Sequence, residues 1–280
     1  MKNLKIVIIW WTSKFWQFWQ RYFEGKWHEV IVSSKNTPIK PEEAVKLWDI
    51  IIFSVSIRAT ISAIRELIPL IPPNRLIMDF TWIKIEATDE LRKYALWEVV
   101  ATHPMFGPWV KSLKGQNIAF DPVLKWEKWE YISNLWKDDE ANLIELESSK
   151  HDEFVAIVQS SVHFINLLIG HILKKRDIHP DKLMAISTPN SRMQLLILSR
   201  FLNQEAKLYA DMQMCNTVYK NEIIPEIKEY SEYLTKIITD KEEAKFEEEF
   251  NSVKDFIGVE FLDNALKITS KIDEELKRSV

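Results

Sequence analysis

Glycine is the residue most depleted in this chain of 280 amino acids. The sequence has 5 glycines and 12 tryptophans, whereas typical glycine usage near 7% would give about 20. Many of the tryptophans stand where a turn or a loop is expected. Glycine adopts positive φ angles without a steric penalty, so the deficit concerns the turns that need such angles.

Cysteine, charge of one sign and long apolar runs are also scarce. Cys215 is the only cysteine, which excludes an intrachain disulfide and favours a reducing, cytoplasmic location. The net charge of −4 is spread over interspersed acidic and basic residues, so no nucleic-acid partner is expected. No run approaches the roughly 18 apolar residues of a membrane span, and no signal peptide is recognised, so no membrane partner is expected.

The first half of the chain alternates strand and helix patterns. Apolar runs predict seven strands, at 5–9, 29–32, 49–53, 75–80, 98–101, 117–120 and 142–146. Helical periods lie at 13–23, 59–70, 86–94 and about 128–137. This alternation predicts an α/β fold with a doubly wound, mostly parallel sheet of the Rossmann type.

The second half shows long helical periods and almost no strand signal. We therefore predict a Rossmann domain over 1–148 and an all-helical domain over 149–280. An all-helical half has few ways to bury so many apolar stripes by itself. A second copy of the chain would supply the missing core, so we expect a two-fold homodimer through the helical domain.

The strand, turn and helix that open the chain stand where a Rossmann fold carries its dinucleotide fingerprint, G-x-G-x-x-G. The three glycine slots hold Trp11, Ser13 and Trp16. A Cβ penalises positive φ, and an indole fills the space where phosphate and helix come close. The cofactor-binding residues expected at this turn and after the next two strands are Trp11, Thr12, Ser13, Lys14, Phe15, Trp16, Ser34, Lys35, Ser54 and Val55.

Four tryptophans, Trp11, Trp16, Trp27 and Trp97, occupy positions where glycine is common. We hypothesise that glycine stood there in a functional parent and was replaced, either by design or through an error in the recorded sequence. If the indoles are real, Trp11 and Trp16 would block the nucleotide slot and leave a cofactor-dead dimer. Trp136, in an amphipathic helix, is instead predicted to pack in the core.

The second strand is followed by Ser33-Ser34-Lys35-Asn36, with no acidic residue to bind the ribose hydroxyls of NAD. Lys35 could face a 2′-phosphate. The expected cofactor is therefore NAD or NADP, with NADP favoured.

His103 opens the segment His-Pro-Met-Phe-Gly-Pro, directly after the apolar run 99–102. Ligands in open α/β sheets bind beyond the carboxyl ends of the strands, and histidine has the unperturbed pKa nearest neutrality. We predict that His103 stands in a loop fixed by two prolines and a glycine and carries acid–base chemistry. The six histidines show no metal-ligand spacing, so no metal site is expected.

With these features, the chain resembles the prephenate dehydrogenase family of tyrosine biosynthesis over nearly its whole length. The segment 103–108 is the most specific match, and other matching segments are 54–57, 79–84, 151–152, 159–164 and 187–192. The resemblance implies oxidative decarboxylation of prephenate to 4-hydroxyphenylpyruvate. In this reaction a hydride passes from the ring carbon that bears the hydroxyl to nicotinamide, and the ring carboxylate leaves as carbon dioxide.

The resemblance also implies roles for individual residues. His103 would accept the ring hydroxyl's proton and Arg192 would bind a substrate carboxylate. Lys84 would add positive charge near the substrate, and His163 and Thr81 would line its pocket. Arogenate carries the same ring, so it stays open as a substrate. Another β-hydroxyacid-type dehydrogenase or an imine reductase on the same plan is a further alternative, against which His103 and Arg192 argue.

Overall fold

The structure is a computed structural model that describes residues 3–10, 15–93 and 98–278. These residues form two compact units. The first contains the described residues up to Val155 together with Ala210–Thr217, and the second contains Ala156–Tyr209 and the residues from Val218 onward. The expected division into domains 1–148 and 149–280 stays a prediction.

A seven-stranded sheet forms the centre of the first unit. Its strands are β1 (Lys5–Trp10), β2 (Glu29–Ser33), β3 (Ile50–Ser54), β4 (Leu76–Asp79), β5 (Glu98–Pro104), β6 (Asn117–Leu124) and β7 (Asn142–Glu145), in the order β2-β1-β3-β4-β5-β6-β7. All neighbouring pairs are parallel except β5 and β6, which are antiparallel. The doubly wound, mostly parallel Rossmann-type sheet is therefore confirmed.

Helices cover both faces of this sheet. They are α1 (Phe15–Gly25), α2 (Pro41–Leu47), α3 (Ile57–Leu67), α4 (Ile85–Arg92), α5 (Glu127–Asp138) and α6 (Ser148–Val155). Ile6 and Ile8 of β1 face a core with α1 and α5, while Val7 and Ile9 face a second core with α2, α3 and α4. Trp136 is fully buried in the first of these cores, as predicted.

The second unit is helical, as the sequence predicts. Its helices are α7 (Val162–Lys175), α8 (Pro180–Met184), α9 (Pro189–Leu202), α11 (Ile224–Thr239), α12 (Glu243–Ile257) and α13 (Val259–Arg278). Helix α10 (Ala206–Cys215) begins in this unit, and its residues from Ala210 belong to the first. The large apolar side chains exposed on these helices are far more numerous than those exposed on the first unit.

Residues 148–175 form one continuous helical stretch with a π-helical turn at Ala156–Ser161. By length and composition alone it could cross a membrane, since an 18-residue window has a mean hydropathy of 1.5 and is 22% buried. Polar residues such as His163 and Asn166 interrupt the apolar run, so this window does not stand out in the sequence as a membrane span. The expectation of no membrane partner stays a prediction.

Four described helices end in a left-handed turn at a residue other than glycine. These residues are Trp27 after α1, Glu140 after α5, Asp177 after α7 and Lys241 after α11, with φ of 67°, 61°, 53° and 55°. At Trp27, its N–H donates to the carbonyl of Glu24 and the N–H of His28 donates to Phe23, the two bonds of a Schellman motif. The indole of Trp27 is 85% exposed. Trp27 therefore occupies a conformation that glycine favours, whereas Trp97 lies outside the described residues.

Candidate active site

Asp79, the last residue of β4, is the centre of a buried polar network at the carboxyl end of the sheet. Its carboxylate accepts hydrogen bonds from the backbone N–H of Thr81, at 3.0 Å, and of Thr102, at 3.2 Å. The ammonium of Lys84 forms an ion pair with the same carboxylate. Ligands of open α/β sheets bind at such strand ends, so this network supports the wall of a candidate site.

The side chain of Lys84 is only 2% exposed. Its Nζ also donates to the backbone carbonyl of Thr102 at 2.8 Å. Burial lowers the pKa of Lys84, and the charge of Asp79 opposes that shift. Because Thr102 directly precedes His103, the ammonium fixes the strand that carries the imidazole. The substrate-binding role expected for Lys84 stays a prediction.

His103 lies within a strand, so its prediction as a loop residue is wrong. The end of β5 pairs with antiparallel β6, and His103 stands opposite Ala119 in the ladder. The pairing of β5 with parallel β4 ends at Ala101. The apolar run in the sequence predicts this first part of β5 but not its extension to Pro104. The extension depends on β6, a partner that the sequence of β5 does not reveal. His103 is thus held by backbone hydrogen bonds, and only 6% of the residue is exposed.

The imidazole of His103 contacts a second buried imidazole. Nδ1 of His103 lies 2.8 Å from Nε2 of His151, and Nδ1 of His151 lies 2.8 Å from Oδ1 of Asp152. The Asp152 carboxylate also accepts from the backbone N–H groups of Lys84, at 2.8 Å, and Ile85, at 2.9 Å. These three side chains form a hydrogen-bonded row, here named the histidine row. Among the described residues, Nε2 of His103 has no hydrogen-bond partner.

Both imidazoles of the histidine row are neutral at neutral pH. Burial is the main cause that lowers the pKa of His103 well below its usual value of 6.5, and the nearby His151 and Lys84 add to the effect. Burial also lowers the pKa of His151, against the opposing influence of Asp152. A neutral imidazole keeps one bare ring nitrogen, which can accept a hydrogen bond or a proton.

Thr81 and Trp82 follow β4 beside the histidine row. The hydroxyl of Thr81 lies 3.0 Å from the hydroxyl of Thr60, and both are buried. The ring of Trp82 meets the His103 imidazole edge-on, with centroids 6.5 Å apart. Trp82 also packs with Val155 in a small apolar cluster. The site thus combines a neutral base with an apolar wall, and the substrate contact expected of Thr81 stays a prediction.

The carboxyl end of β1 is aromatic instead of polar. The ring centroids of Trp10 and Trp16 lie 5.4 Å apart, and the buried indole N–H of Trp10 has no partner among the described residues. Phe15 packs edge-on against Phe80 and Phe106, with centroids at 6.2 and 5.6 Å. The other residues expected to bind cofactor at this turn, Trp11, Thr12, Ser13 and Lys14, lie outside the described residues.

The cofactor-binding residues expected after β2 and β3 lie at strand ends. Ser34 is buried, and its N–H donates to the Thr37 hydroxyl at 2.8 Å, which closes a turn beside the exposed Lys35. Ser54 ends β3 and is paired with Trp10, and Val55 follows it. The strand order reverses between β1 and β3, which is where open sheets bind a dinucleotide.

Strand order and polar strand ends therefore fit a dinucleotide cofactor. The exception is the first turn of α1, where the backbone of such folds approaches the pyrophosphate closely. There the indole of Trp16 occupies the third glycine slot and packs on Trp10. The described residues thus fit a nicotinamide dinucleotide, with this aromatic pair as the obstacle.

In the second unit, His163 lies between two aromatic rings. It stacks on Phe201 with centroids 5.2 Å apart and meets Tyr209 edge-on at 4.6 Å. Its Nδ1 is buried without a partner among the described residues. Burial lowers the pKa of His163 to about 4, so the ring is neutral at neutral pH. Its expected place in the substrate pocket stays a prediction.

Arg192 lies in the first turn of α9, which Thr188 caps. Its Nη1 lies 3.5 Å from Oδ1 of Asp273, and Nζ of Lys277 lies 2.6 Å from Oδ2 of the same carboxylate. Two cations thus share one anion, which leaves positive charge for an anionic ligand. The expected binding of a substrate carboxylate by Arg192 is compatible with this charge and stays a prediction.

His151 and Asp152 were not predicted as site residues, although they lie in a segment that resembles the family. The available sequence signal is a histidine followed directly by an aspartate. Such a pair can form part of a hydrogen-bonded row once a second histidine lies beside it. Since 48 residues separate His151 from His103, no local pattern in the sequence indicates that the two rings lie in contact.

Two family models match the chain. One, described as "Prephenate dehydrogenase, nucleotide-binding domain", matches residues 31–145, and the other, "Prephenate dehydrogenase, dimerization domain", matches residues 147–252. The chain belongs to the prephenate dehydrogenase family. The first match begins after α1, so the tryptophan-bearing turn precedes the matched part of this prephenate dehydrogenase family member.

Curated relatives agree with this assignment. A probable arogenate/prephenate dehydrogenase from Methanocaldococcus jannaschii is 32% identical over 82% of this chain and 54% of its own length. A T-protein from Haemophilus influenzae is 27% identical over 91% of this chain and 67% of its own length. The chain thus spans about half to two thirds of these relatives.

Solved structures share the fold. Prephenate dehydrogenase from A. aeolicus, in complex with hydroxyphenyl propionate and NAD+, aligns with a TM-score of 0.66 at 14% identity, over 91% of this chain and 97% of that one. Synechocystis arogenate dehydrogenase aligns with a TM-score of 0.60 at 16% identity, over 90% and 99%. These likenesses establish the fold of both units.

Proposed function

We propose that this chain oxidatively decarboxylates prephenate to 4-hydroxyphenylpyruvate with a nicotinamide cofactor as hydride acceptor. The observation that carries the proposal is the neutral His103, held at the end of β5 with only its Nδ1 in a hydrogen bond among the described residues. Family membership supports the reaction class. The exposed Lys35 after β2, where no acid follows, favours NADP over NAD.

His103 acts on the oxygen of the substrate ring. Its bare nitrogen accepts a hydrogen bond from the ring hydroxyl and draws the proton while the C–H electron pair of the same carbon leaves as hydride. The bond between ring and carboxylate breaks, its electrons complete the aromatic ring, and carbon dioxide departs. The proton then returns from His103 to the ring oxygen, which becomes the phenol of the product, and the imidazole is neutral again.

The remaining site residues bind and orient the substrate in this proposal. Arg192 suits a carboxylate because its planar guanidinium can donate two parallel hydrogen bonds. Thr81, Lys84 and His163 complete the proposed set, with Lys84 acting chiefly by fixing β5. Arogenate differs from prephenate outside the ring, so the same chemistry at His103 would serve either substrate.

We also propose a homodimer through the helices of the second unit. Large apolar side chains are exposed there, among them Leu167, Phe250, Phe256 and Phe261. Covering such side chains with a second copy removes apolar surface from water. Elution at the monomer mass over a broad concentration range would contradict this. A cytoplasmic location belongs to the same proposal, in keeping with the single cysteine.

Turnover measurements test the proposed function. Prephenate and arogenate are each offered with NAD+ and NADP+, and a small hydroxy acid is offered with the same oxidised cofactors as a control. A cyclic imine, offered with NADH and NADPH, is the second control substrate. We expect reduced cofactor and carbon dioxide in equal amounts from prephenate, and no reaction of the controls. Turnover of a control substrate without turnover of prephenate or arogenate would assign the chain to another dehydrogenase or reductase class.

A second candidate is a family member that keeps the scaffold but does not bind the cofactor. The contact of Trp10 with Trp16 at the nucleotide turn favours it. Titration with NADP+ under tryptophan fluorescence separates the two candidates. Saturable quenching with micromolar affinity would exclude the second, and no quenching together with no turnover would exclude the first.

A further inference from the structure

We propose that His151 and Asp152 are positioning residues that fix the tautomer of His103, so that Nδ1 carries the proton and Nε2 is the bare nitrogen presented to the substrate. The chemical purpose rests on the proposed function. The tautomer itself is a property of the free protein and can be measured without substrate or cofactor.

Asp152 is the fixed end of the histidine row. Its two oxygens accept hydrogen bonds from consecutive backbone N–H groups, those of Lys84 and Ile85, at 2.8 and 2.9 Å. A carboxylate has oxygens that accept hydrogen bonds and no proton to donate. The hydrogen bond between Oδ1 and Nδ1 of His151 therefore has one direction, with the imidazole donating.

The direction of this first hydrogen bond determines the direction of the next one in the histidine row. Since His151 is neutral and its proton is on Nδ1, its Nε2 is bare and can only accept. The group that lies 2.8 Å from this nitrogen is Nδ1 of His103, which must donate. The proton of a neutral His103 is thus on Nδ1, and Nε2 keeps its lone pair.

This arrangement matters because only one tautomer can act as a base toward the substrate. With the proton on Nε2, the ring would offer a donor to the hydroxyl and could not take its proton. With the proton on Nδ1, Nε2 accepts the proton, and the resulting imidazolium is stabilised through His151 by the Asp152 carboxylate. The logic is that of an acid that orients a histidine without itself being protonated.

The histidine row is anchored on the side away from His103. The hydroxyl of Ser148, which begins α6, donates to the carboxylate of Asp121 at 2.6 Å and lies 2.7 Å from the hydroxyl of Thr88. The side-chain amide of Asn216 donates to the backbone carbonyl of Asp152 at 2.9 Å. His151 and Asp152 themselves are 2% and 1% exposed. Helix α6 therefore holds them in one place relative to β5 within the first unit.

Nitrogen NMR on the whole chain, labelled with 15N in its histidines, tests the proposal. Long-range proton–nitrogen spectra show which ring nitrogen carries the proton, and the His103→Asn and His151→Gln variants assign the signals. We expect His103 and His151 both to be protonated on Nδ1. His28 is an internal control of the opposite kind, because its Nδ1 accepts from the N–H of Leu4 at 3.1 Å, which leaves the proton on Nε2.

Two variants at one position separate positioning from packing. His151→Phe keeps a buried ring but removes both hydrogen bonds, so His103 should lose its single tautomer. His151→Gln can accept from His103 through its amide oxygen and donate to Asp152 through its nitrogen, so it should keep the parent tautomer. Thermal melts and amide spectra check that each variant folds. A proton on Nε2 of His103 in the parent, or an unchanged tautomer in His151→Phe, would overturn the proposal.

Steady-state kinetics of the two variants and the parent provide a second test of the positioning role. By analogy with other residues that orient a reacting group, His151→Phe should lower kcat by roughly 10- to 100-fold with little change in KM. His151→Gln should recover most of that loss. If prephenate and arogenate are not turned over by the parent, the proposed function fails, whereas the NMR result still decides the tautomer. An Nδ1-protonated His103 with full activity in His151→Phe would reject the positioning role alone.

Discussion

The carboxyl ends of β1 and β5 belong to one sheet but satisfy their polar atoms in opposite ways. At β5, the backbone of Thr102 forms hydrogen bonds with Asp79 and Lys84, and the imidazole of His103 forms one with His151. At β1, the indole N–H of Trp10 is buried without a partner among the described residues, and the Trp16 ring packs on it. The acid–base side of the site is therefore built from matched donors and acceptors, while the nucleotide side carries apolar bulk.

The difference shows which part of the site the fold can do without. A buried polar group without a partner costs about 1–3 kcal/mol, and aromatic packing can offset that cost at the end of β1. A single substitution in the Asp79–Lys84 pair has no such compensation, since the remaining member would be an unpaired buried charge. The fold thus tolerates change at β1 that it would not tolerate at β5.

The largest effect is expected from His103→Ala at the β5 end. Loss of the base should lower kcat for prephenate by about 10²- to 10⁴-fold, the usual scale of acid–base assistance. His171→Ala, on an exposed part of α7, is the matched control and should leave kcat unchanged. Steady-state kinetics measure both, and an unaltered kcat in His103→Ala would remove this residue from the mechanism.

The same base sets the pH dependence of the parent. Only the neutral imidazole can accept a proton, and burial moves its pKa well below 6.5. A lowered pKa shifts the loss of activity to lower pH, so kcat should not decline through protonation of His103 between pH 8 and 6.5. An acid limb centred at 6.5 in the pH profile of kcat would show a solvated histidine instead.

Lys84→Met tests whether the polar end of β5 also holds the fold together. Removal of the ammonium leaves Asp79 as an unpaired buried charge, so the free energy of unfolding should fall by about 3–5 kcal/mol. Lys93→Met removes a lysine whose side chain is 60% exposed in its pair with Glu90, and should change stability by only about 0–1 kcal/mol. Urea unfolding measures both, and equal effects would contradict the distinction.

Arg192→Ala tests the substrate contact expected from the second unit. Loss of charge-assisted hydrogen bonds worth about 1.5–3 kcal/mol should raise KM for prephenate roughly 10- to 100-fold, with a smaller effect on kcat. Lys277→Ala removes the other cation that contacts Asp273 and should raise KM less than Arg192→Ala does, because the guanidinium is still present. Initial-rate kinetics separate the two, and a KM raised equally by both variants would point to a structural cause.

The double change Trp10→Gly and Trp16→Gly should strengthen the binding of NADP+ at the β1 end. Without the indoles, the backbone can approach the pyrophosphate, so Kd for NADP+ should fall by at least about tenfold, or 1.4 kcal/mol. Trp126→Gly, at a tryptophan that is 51% exposed before α5, is the matched control. Calorimetric titration gives both values, and an unchanged Kd in the double variant would show that the aromatic pair is no obstacle.

The smallest effect is expected from Trp27→Gly. The left-handed conformation of Trp27 penalises any side chain, and the exposed indole has little packing to lose, so unfolding should cost about 1 kcal/mol more in the variant. Glu140 has a similar backbone conformation, so Glu140→Gly should raise the free energy of unfolding by a similar amount. Thermal melts compare them. A gain at Glu140 without one at Trp27 would mean that the indole itself stabilises the turn.

The sequence predicted the sheet because its evidence was local. The runs at β1 and β3 alternate between two cores that are both apolar, so each strand reads as a continuous apolar segment. Helix α2 was not predicted, since its seven residues carry only two apolar positions that face the core, Ala44 and Val45. The end of β5 was missed because the pairing with β6 joins residues that are distant in sequence.

The site was predictable to the extent that single residues carry it. His103 was identified from its position after an apolar run, and Trp27 from its position after a helix. The histidine row was not, because a contact between β5 and α6 is a property of the fold and not of either segment. The same holds for Asp79, whose carboxylate became central only once β4 and β5 lay side by side.

The location of His103 on a strand also bears on how substrate preference could evolve in this chain. Side chains of a strand point to one face of the sheet or to the other, and a shift of one residue reverses every direction at once. The imidazole therefore cannot drift in small steps as a loop residue could, and its ladder with β6 makes each intermediate position costly. Substitutions that alter substrate preference are then expected among the side chains around β5, and the residues of β5 itself are expected to be retained.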